Sequence, residues 1–398
     1  MKIETLAIIG GGASAALLLA HLAERPQARA LRIDVYDRAG AFAKGIAYAT
    51  PHDCHLLNVR AANMSALASR PDDFARWAAG YGYAADDFVP RKLYGRYLAE
   101  HWARAERVLS VRSITADVVR SRRTAQGYEI ACLSGERALY DAVIQATGNC
   151  APLSPRLEGA GGDFYAASPW GVDYAALKQA RDVVLVGSGL SAVDAVLALD
   201  AQGYEGRIHI ISRRGLLPAV HVEAAPAPFD LFPYPDTALG LLRGVRRAVA
   251  RHDGPWQAVI DALRPHTNPI WQALPERQRA QLTRRLLTYW NVHRHRMAPA
   301  VAAVVERWER DGRLHRIRAG VSAVGSDTDG TGGLVALRRG SPLQADKIIN
   351  CLGYRYDERR SFEGALPLGP ANFGSLFETT AIPEIRAQSA VLAAQITP

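Results

Sequence analysis

The 398-residue chain carries 48% hydrophobic and 22% charged residues and a formal net charge of +9. This balance suits a globular chain of two domains, or one domain with a large insertion, whose core needs no metal or disulfide support. The basic excess is spread along the chain, with no compact Lys/Arg block interleaved with aromatics, which argues against a nucleic-acid partner. A phosphate-bearing cofactor would account for part of it and solvated helix faces for the rest. Cys54, Cys132, Cys150 and Cys351 lie far apart in sequence, with no C-x-x-C pair and no zinc-like His/Cys spacing, so no metal is expected. The opening apolar stretch is broken by glycines and followed by His21, Glu24 and Arg25, unlike a signal peptide. No run approaches the roughly 18 apolar residues of a membrane span. A cytoplasmic protein without a membrane partner is expected.

In chain order, Leu6-Ala7-Ile8-Ile9 reads as a buried strand and residues 17–22 as an Ala/Leu helix, joined by Gly10-Gly11-Gly12-Ala13-Ser14-Ala15. Strand, glycine turn and helix form the arrangement that holds a dinucleotide pyrophosphate. Gly10 permits the tight turn. Gly12 lets backbone approach phosphate, and Ala15, in place of a third glycine, lets helix and strand pack. The helix N-terminus offers unpaired N–H groups and partial positive charge. Arg32-Ile33-Asp34-Val35-Tyr36-Asp37 is the next strand, and Asp37 ends it where an acid takes ribose hydroxyls. A glycine-rich turn alone also serves as a plain strand-to-helix connection.

Residues 43–66 show little periodicity and read as a long ordered binding loop. Residues 74–77 begin a short amphipathic helix. Residues 88–98 lead into another, with Leu93, Tyr97 and Leu98 on one face as core. Short alternating runs at 114–119, 128–133 and 142–146 read as strands, with a turn at Gln126-Gly127. Ala146-Thr147-Gly148 closes the last of these with small residues that leave room for a cofactor. Pro152, Pro155, Gly159, Gly161 and Gly162 mark a linker.

The opening pattern then repeats. Asp182-Val183-Val184-Leu185-Val186 is a strand, Gly187-Ser188-Gly189-Leu190-Ser191-Ala192 the turn, 193–199 the helix and 207–211 the following strand. Here Ser212-Arg213-Arg214 stands where Asp37 stood. An acid accepts ribose hydroxyl protons, whereas arginine forks match a 2′-phosphate, so the second unit should prefer NADPH to NADH. The alternative is a solvated basic turn.

Residues 216–300 exceed a minimal nucleotide-binding unit. Pro218, Pro226, Pro228, Pro233 and Pro235 make an irregular start, and 239–250, 256–263 and 278–290 read as helices of an insertion. It ends in His293-Arg294-His295-Arg296. Two histidines separated by one residue cannot share a helix face, which disfavours a metal site. The cluster would face NADPH or an acidic substrate, or form a solvated turn. Beyond it, 301–308 is helical, 314–324 and 334–337 are strand-like around a loop at 325–333, and 347–353 is a buried strand ending in glycine. A C-terminal helix spans 384–396, with Thr379 or Thr380 as its N-cap. Its N-terminus could support negative charge on a reduced flavin.

These residues resemble the two-dinucleotide-binding-domain flavoproteins, and more closely the bacterial family of FAD/NAD(P)-binding proteins related to flavin-dependent N-hydroxylases and other monooxygenases. The matching stretches are Gly45-Ile46-Ala47-Tyr48, Leu56-Leu57-Asn58-Val59, Asn63-Met64-Ser65-Ala66, Phe88-Val89-Pro90-Arg91, 290–296 and Thr380-Ala381-Ile382-Pro383-Glu384-Ile385-Arg386. The resemblance implies an α/β fold with two Rossmann-like domains, FAD in the first (1–160 and 345–398) and NADPH in the second (161–344), with the helical insertion at 216–300. It implies that Gly10, Gly12 and Ser14 take the FAD pyrophosphate, Asp37 the ribose and the Val118 backbone the adenine. Asn58, Met64 and Ser65 would lie near the flavin ring. Gly148 and Gly369 would let backbone approach it, and Thr380 and Ala381 would sit at its pyrimidine end. Gly187, Ser188, Gly189, Ser191, Arg213 and Arg214 would hold NADPH.

The expected activity is that of an FAD-dependent, NADPH-consuming monooxygenase that hydroxylates a small molecule, with nitrogen as a candidate atom, using oxygen through a flavin C4a-hydroperoxide. The cofactor carries that chemistry, so no catalytic residue is assigned. His55, His293 and His295 are the histidines nearest the implied sites. The alternatives are a reductase passing electrons to a quinone, protein or nitro acceptor, and an FAD-binding redox sensor or scaffold. The absence of C-x-x-C argues against a disulfide reductase.

Overall fold

The computed structural model describes residues 3–149, 152–158, 162–222, 236–327, 330, 332–354 and 361–398. Pro226, Pro228, Pro233 and Pro235 of the expected proline-rich start lie outside the described residues, as do Cys150, Gly159 and Gly161. The chain divides into two compact units, one of residues 1–53, 59–151 and 356–398, the other of 54–58 and 152–355.

The first unit is built on a five-stranded parallel sheet ordered Leu366–Pro367, Ala142–Gln145, Thr5–Ile9, Arg32–Asp37, Ser110–Thr115. The opening strand is buried on both faces, hence its unbroken apolar run. Leu6 and Ile8, on the opposite face from Ala7 and Ile9, are fully buried, and the helix Ala13–Ala23 packs against the helices Arg91–Val108 and Ile382–Ile396. Ala7 and Ile9 face the other way, packing with Tyr36 and Val143 against Val118, Ile130, Cys132 and Tyr140 of a second, four-stranded sheet.

The second unit repeats this plan. Its parallel sheet runs Leu314–Arg318, Arg207–Ser212, Asp182–Val186, Lys347–Asn350, Tyr165–Ala166. Val184, Val186, Ile211 and Ile348 pack against Val324, Val335 and Ala345 of a four-stranded sheet. The fold is thus α/β with two Rossmann-like units. Five helices, Ala238–Arg251, Trp256–Leu263, Thr267–Ala273, Glu276–Arg285 and Leu287–Arg294, form the helical stretch among the described residues.

Several boundaries differ from the sequence reading. The chain returns to the first unit at 356 and not 345, because Lys347–Asn350 pairs in parallel with Asp182–Val186. Residues 54–58 group with the second unit, where the carbonyl of Asp194 lies 3.0 Å from His55 Nε2 and that of Asn58 lies 3.0 Å from His221 Nε2. The helix expected over 278–290 breaks at Leu286. The final helix starts at Ile382 with Ala381 as N-cap and no side-chain cap bond, so neither Thr379 nor Thr380 caps it. Pro383 fixes that start, having no N–H to bond and a φ already set for the first helical turn. Among the described residues no helix is long and apolar enough to cross a membrane.

Candidate functional site: two glycine cradles

Each unit contains a glycine turn between its central strand and first helix. At Gly10 φ is +102°, and a Cβ there would stand 2.4 Å from the Ala146 carbonyl oxygen. Its N–H donates to the Tyr36 carbonyl at 2.7 Å. At Gly187 φ is +115°, a Cβ would stand 2.4 Å from the Cys351 carbonyl oxygen, and the N–H donates to Ile211 at 2.8 Å. In both turns only glycine fits, because neighbouring strand ends cross behind it and φ is positive. Gly12 and Gly189 are the helix N-caps, both extended and neither followed by a side-chain cap bond. The first N–H groups of each helix are therefore left to an anion or water.

The first cradle is closed by its own loop. A Cβ on Gly12 would stand 3.3 Å from Gly45 Cα, and one on Gly11 would stand 2.6 Å from the Phe42 ring. Gly12 thus admits loop backbone as well as any phosphate. Ala43 donates its N–H to the Gly11 carbonyl at 2.8 Å and is the one described non-glycine residue with positive φ, +73°. Such a conformation costs energy that the surrounding structure must supply.

Asp37 ends its strand as expected, yet its carboxylate is already in use. Oδ2 accepts from the Gly11 N–H at 3.1 Å, and Oδ1 from Ala39 and Ala41 at 2.9 and 3.3 Å. A carboxylate offers about four lone-pair sites, so it can brace the turn and still accept a ribose hydroxyl. Val118 is buried at the start of its strand. Gly148 has φ +64° with nothing within 4 Å of an added Cβ, an open approach to the strand end. Gly369 lies against Ser14, whose Oγ would be 2.7 Å from its Cβ. The C-terminal return thus reaches the first cradle. Met64 is buried. The Ser65 hydroxyl donates to the Arg70 carbonyl at 2.6 Å and accepts from the Leu67 N–H at 3.1 Å, so it serves its own loop. Thr380 is exposed and Ala381 half-buried beside the final helix.

In the second cradle Ser188 donates its hydroxyl to the Leu216 carbonyl at 2.6 Å. Gly189 has open space where a Cβ would stand, and Ser191 is half-buried. Ser212 Oγ accepts from the Gly215 N–H at 3.0 Å, holding the turn that presents two arginines. Arg213 is exposed. Arg214 lies with its guanidinium carbon 4.5 Å from the Tyr289 ring centroid, a cation–π placement that sequence reasoning did not anticipate.

The His293–Arg296 cluster is not a solvated turn. Arg294 and Arg296 are each 3% exposed. Arg296 pairs with Asp261 and lies over the Trp256 ring, so its charge is at least partly met inside the second unit. Burial, reinforced by Arg294 and Arg264, pushes His295 down to about 3, so it is neutral near pH 7. The His293 ring packs edge-on to Trp256, and its Nδ1 lies 2.7 Å from the Tyr289 carbonyl. His55 is buried against the Asp194 carbonyl. Among the described residues no group of three or more His, Cys, Asp or Glu is placed to hold a metal ion.

Residues 7–150 match the family model described as FAD-NAD(P)-binding. No curated protein sequence matches the chain. The fold is similar to the reduced form of ornithine hydroxylase from Pseudomonas aeruginosa, at TM-score 0.64 and 16% identity, covering 100% of this chain and 99% of that one. It is similar to the ornithine N-hydroxylase of Kutzneria sp. 744 at TM-score 0.63 and 15% identity, again covering 100% and 99%. The bacillithiol disulfide reductase of Staphylococcus aureus is similar at TM-score 0.60 and 11% identity, covering 100% and 98%. At such identities the likeness fixes the two-dinucleotide-domain fold. The family match makes the opening unit an FAD/NAD(P)-binding domain.

Proposed function

We propose that the chain is an FAD- and NADPH-dependent oxidoreductase that hydroxylates a small molecule, with an amine nitrogen as the first candidate atom. One observation carries this reading. The two cradles match in backbone geometry and differ in what stands at the end of the following strand, Asp37 as its last residue in one and Arg213-Arg214 just past Ser212 in the other. An acid suits the ribose of FAD and arginines suit a 2′-phosphate. The ornithine hydroxylases among the similar structures support hydroxylation.

The residues fit the cofactors. Gly10 and Gly12 let the turn close against the Ala146 strand end and the Gly45 loop, the helix N-terminus at Ala13 supplies donors for a pyrophosphate, and Ser14 adds a hydroxyl beside Gly369. Asp37 orients the ribose while bracing the turn. Val118 offers backbone to the adenine, and Met64 and Gly148 border the flavin ring. Gly187, Gly189 and Ser191 receive the second pyrophosphate. Arg213 pairs with the 2′-phosphate, and Arg214, steadied on Tyr289, flanks it. When bound, the flavin supplies hydride acceptance and oxygen activation.

A second reading, electron transfer to an acceptor, is favoured by the similarity to a disulfide reductase. The cysteines weigh against a dithiol relay, since none stands at C-x-x-C spacing and Cys132 and Cys351 are buried free thiols. The test is NADPH oxidation by the FAD-loaded protein across amines, amino acids and aromatics, with peroxide and oxygenated product measured. A substrate that speeds NADPH oxidation, lowers peroxide and gains oxygen supports the proposal. Turnover with quinone or nitro acceptors and no oxygenated product contradicts it.

A further inference from the structure

The first unit contains a set of aromatic rings in contact that runs from the loop at 63–67 to the surface. Tyr97, 1% exposed, accepts the Ala66 N–H at 3.0 Å and donates its phenol proton to Asp73 Oδ2 at 2.7 Å. Its ring centroid lies 5.5 Å from that of Trp77, and Trp77 lies 4.6 Å from Tyr81, which is 48% exposed. The Trp77 indole N–H donates to Glu100 at 2.8 Å. Simple packing would be served as well by leucine or phenylalanine. Here both inner rings carry a hydrogen-bonded carboxylate, which is what a phenol or indole needs if it is to lose an electron and a proton together.

We propose that Tyr97, Trp77 and Tyr81 form an oxidation relay that carries a hole from the 63–67 loop to the protein surface. The proposal rests on the reading that oxygen is activated beside that loop. The oxidant is of the hydroxyl-radical class, a product of stray oxygen reduction. It takes one electron from Tyr97 and becomes hydroxide, and the phenol proton passes to Asp73. Trp77 then gives an electron to the Tyr97 radical, which recovers its proton from Asp73, while the indole proton passes to Glu100. Tyr81 repeats the step at the surface, releasing its phenol proton to solvent, and a thiol-class reductant returns a hydrogen atom. Neutral tyrosyl and tryptophanyl radicals lie close in potential, and ring contact makes each hop short, so scavenging at the exposed end draws the hole outward. Burial, outweighed by bonds from Tyr97 and His101, leaves the Asp73 carboxyl below its ordinary range, so it is an ionised acceptor. Arg70 and His101 also face it. Met64, buried in the same loop, is the side chain such a relay would spare from sulfoxide formation. Tyr94 touches Tyr97 at 5.6 Å, but its buried hydroxyl has no hydrogen-bond partner among the described residues. It lacks a proton acceptor and so is excluded from the relay.

The test runs the FAD-loaded protein with NADPH in air and maps oxidised residues by peptide mass spectrometry. In the unsubstituted protein lesions should gather at Trp77 and Tyr81, with Met64 spared. Tyr97→Phe and Trp77→Phe, which keep a ring in place, should raise Met64 sulfoxide severalfold, and Tyr94→Phe should leave the map unchanged. An unchanged Met64 in the first two variants, or a rise in all three, overturns the relay. A second arm uses a photogenerated soluble one-electron oxidant and reads the tyrosyl radical by electron paramagnetic resonance, with no need of NADPH. A tyrosyl signal that is lost in Tyr81→Phe and replaced there by a tryptophanyl signal, itself lost when Trp77→Phe is added, sustains the relay even if NADPH fails to reduce the flavin, in which case only the proposed function falls. A signal that Tyr81→Phe leaves unchanged overturns the relay whatever the flavin does.

Discussion

At Gly10 and Gly187 a single methyl group decides the outcome. Each would press on a backbone carbonyl at 2.4 Å, from a residue whose φ L side chains avoid. Relief requires a shift of the strand end, and the backbone strain alone is worth about 1–3 kcal/mol. Gly187→Ala should leave the first cradle intact, so the purified variant should keep FAD while losing reduction by NADPH. Gly10→Ala should lose FAD itself. Both outcomes are read from flavin absorbance before and after NADPH. The arginine pair makes a finer prediction. Arg213→Ala with Arg214→Ala should remove the charged hydrogen bonds proposed to the 2′-phosphate, worth about 1.5–3 kcal/mol. NADPH binding should weaken by that amount in titrations while NADH binding changes little, and equal losses would count against the assignment. Asp37 was legible in the sequence as an acid at a strand end. That its two oxygens also hold the N–H groups of Gly11, Ala39 and Ala41 was not, since those bonds depend on how the 38–45 loop folds back. The same holds for Ser65, whose hydroxyl is spent on its own loop.

Elements show where local pattern suffices and where it does not. The strands at 5–9 and 182–186 declare themselves through unbroken apolar runs ending in glycine. The helix starting at Ile382 needed the position of Pro383, and the break at Leu286 has no local breaker residue to announce it. Least legible was the contact between strand Arg32–Asp37 and the four-stranded sheet. Asp34, with a side chain 1% exposed, accepts from Tyr140 at 2.6 Å and from both forks of Arg112 at 3.0 and 2.7 Å, and Tyr36 joins Tyr140 at 2.7 Å. An aspartate between Ile33 and Val35 gives no sign of partners 78 and 106 residues away. Tyr140→Phe should lower stability by about 1.5–3 kcal/mol, the value of a hydrogen bond to a charged group, measured by urea unfolding. Burial raises the Asp34 pKa, but the bonds from Arg112 and Tyr140 prevail and hold it below the ordinary 3.8. A carboxyl depressed on folding stabilises fully above its unfolded pKa, and that stability is lost as pH falls through the folded value. Asp34→Asn should therefore flatten the loss of stability below about pH 4. In the opposite sense, Tyr94→Phe removes a buried hydroxyl without a partner among the described residues and should raise the stability of the cofactor-free protein by about 1 kcal/mol.

Over the whole molecule the duplication extends past the glycine turns that reveal it. Each unit pairs a five-stranded parallel sheet with a four-stranded one, and each crosses its first glycine with a later strand end, Ala146 in one and Cys351 in the other. The repeat was visible because close backbone approach constrains residue type. The unit boundaries were not, because the positions of 54–58 and of 345–355 depend on long-range pairing such as that of Lys347–Asn350 with Asp182–Val186. Two cradles with opposite strand-end charge are the basis for assigning one nucleotide to each. The most direct test is anaerobic mixing of the FAD-loaded protein with NADPH and with NADH, following the oxidised flavin band. Complete bleaching, faster and at lower concentration with NADPH, is the predicted result. A flavin that stays oxidised with both nucleotides would contradict the assignment.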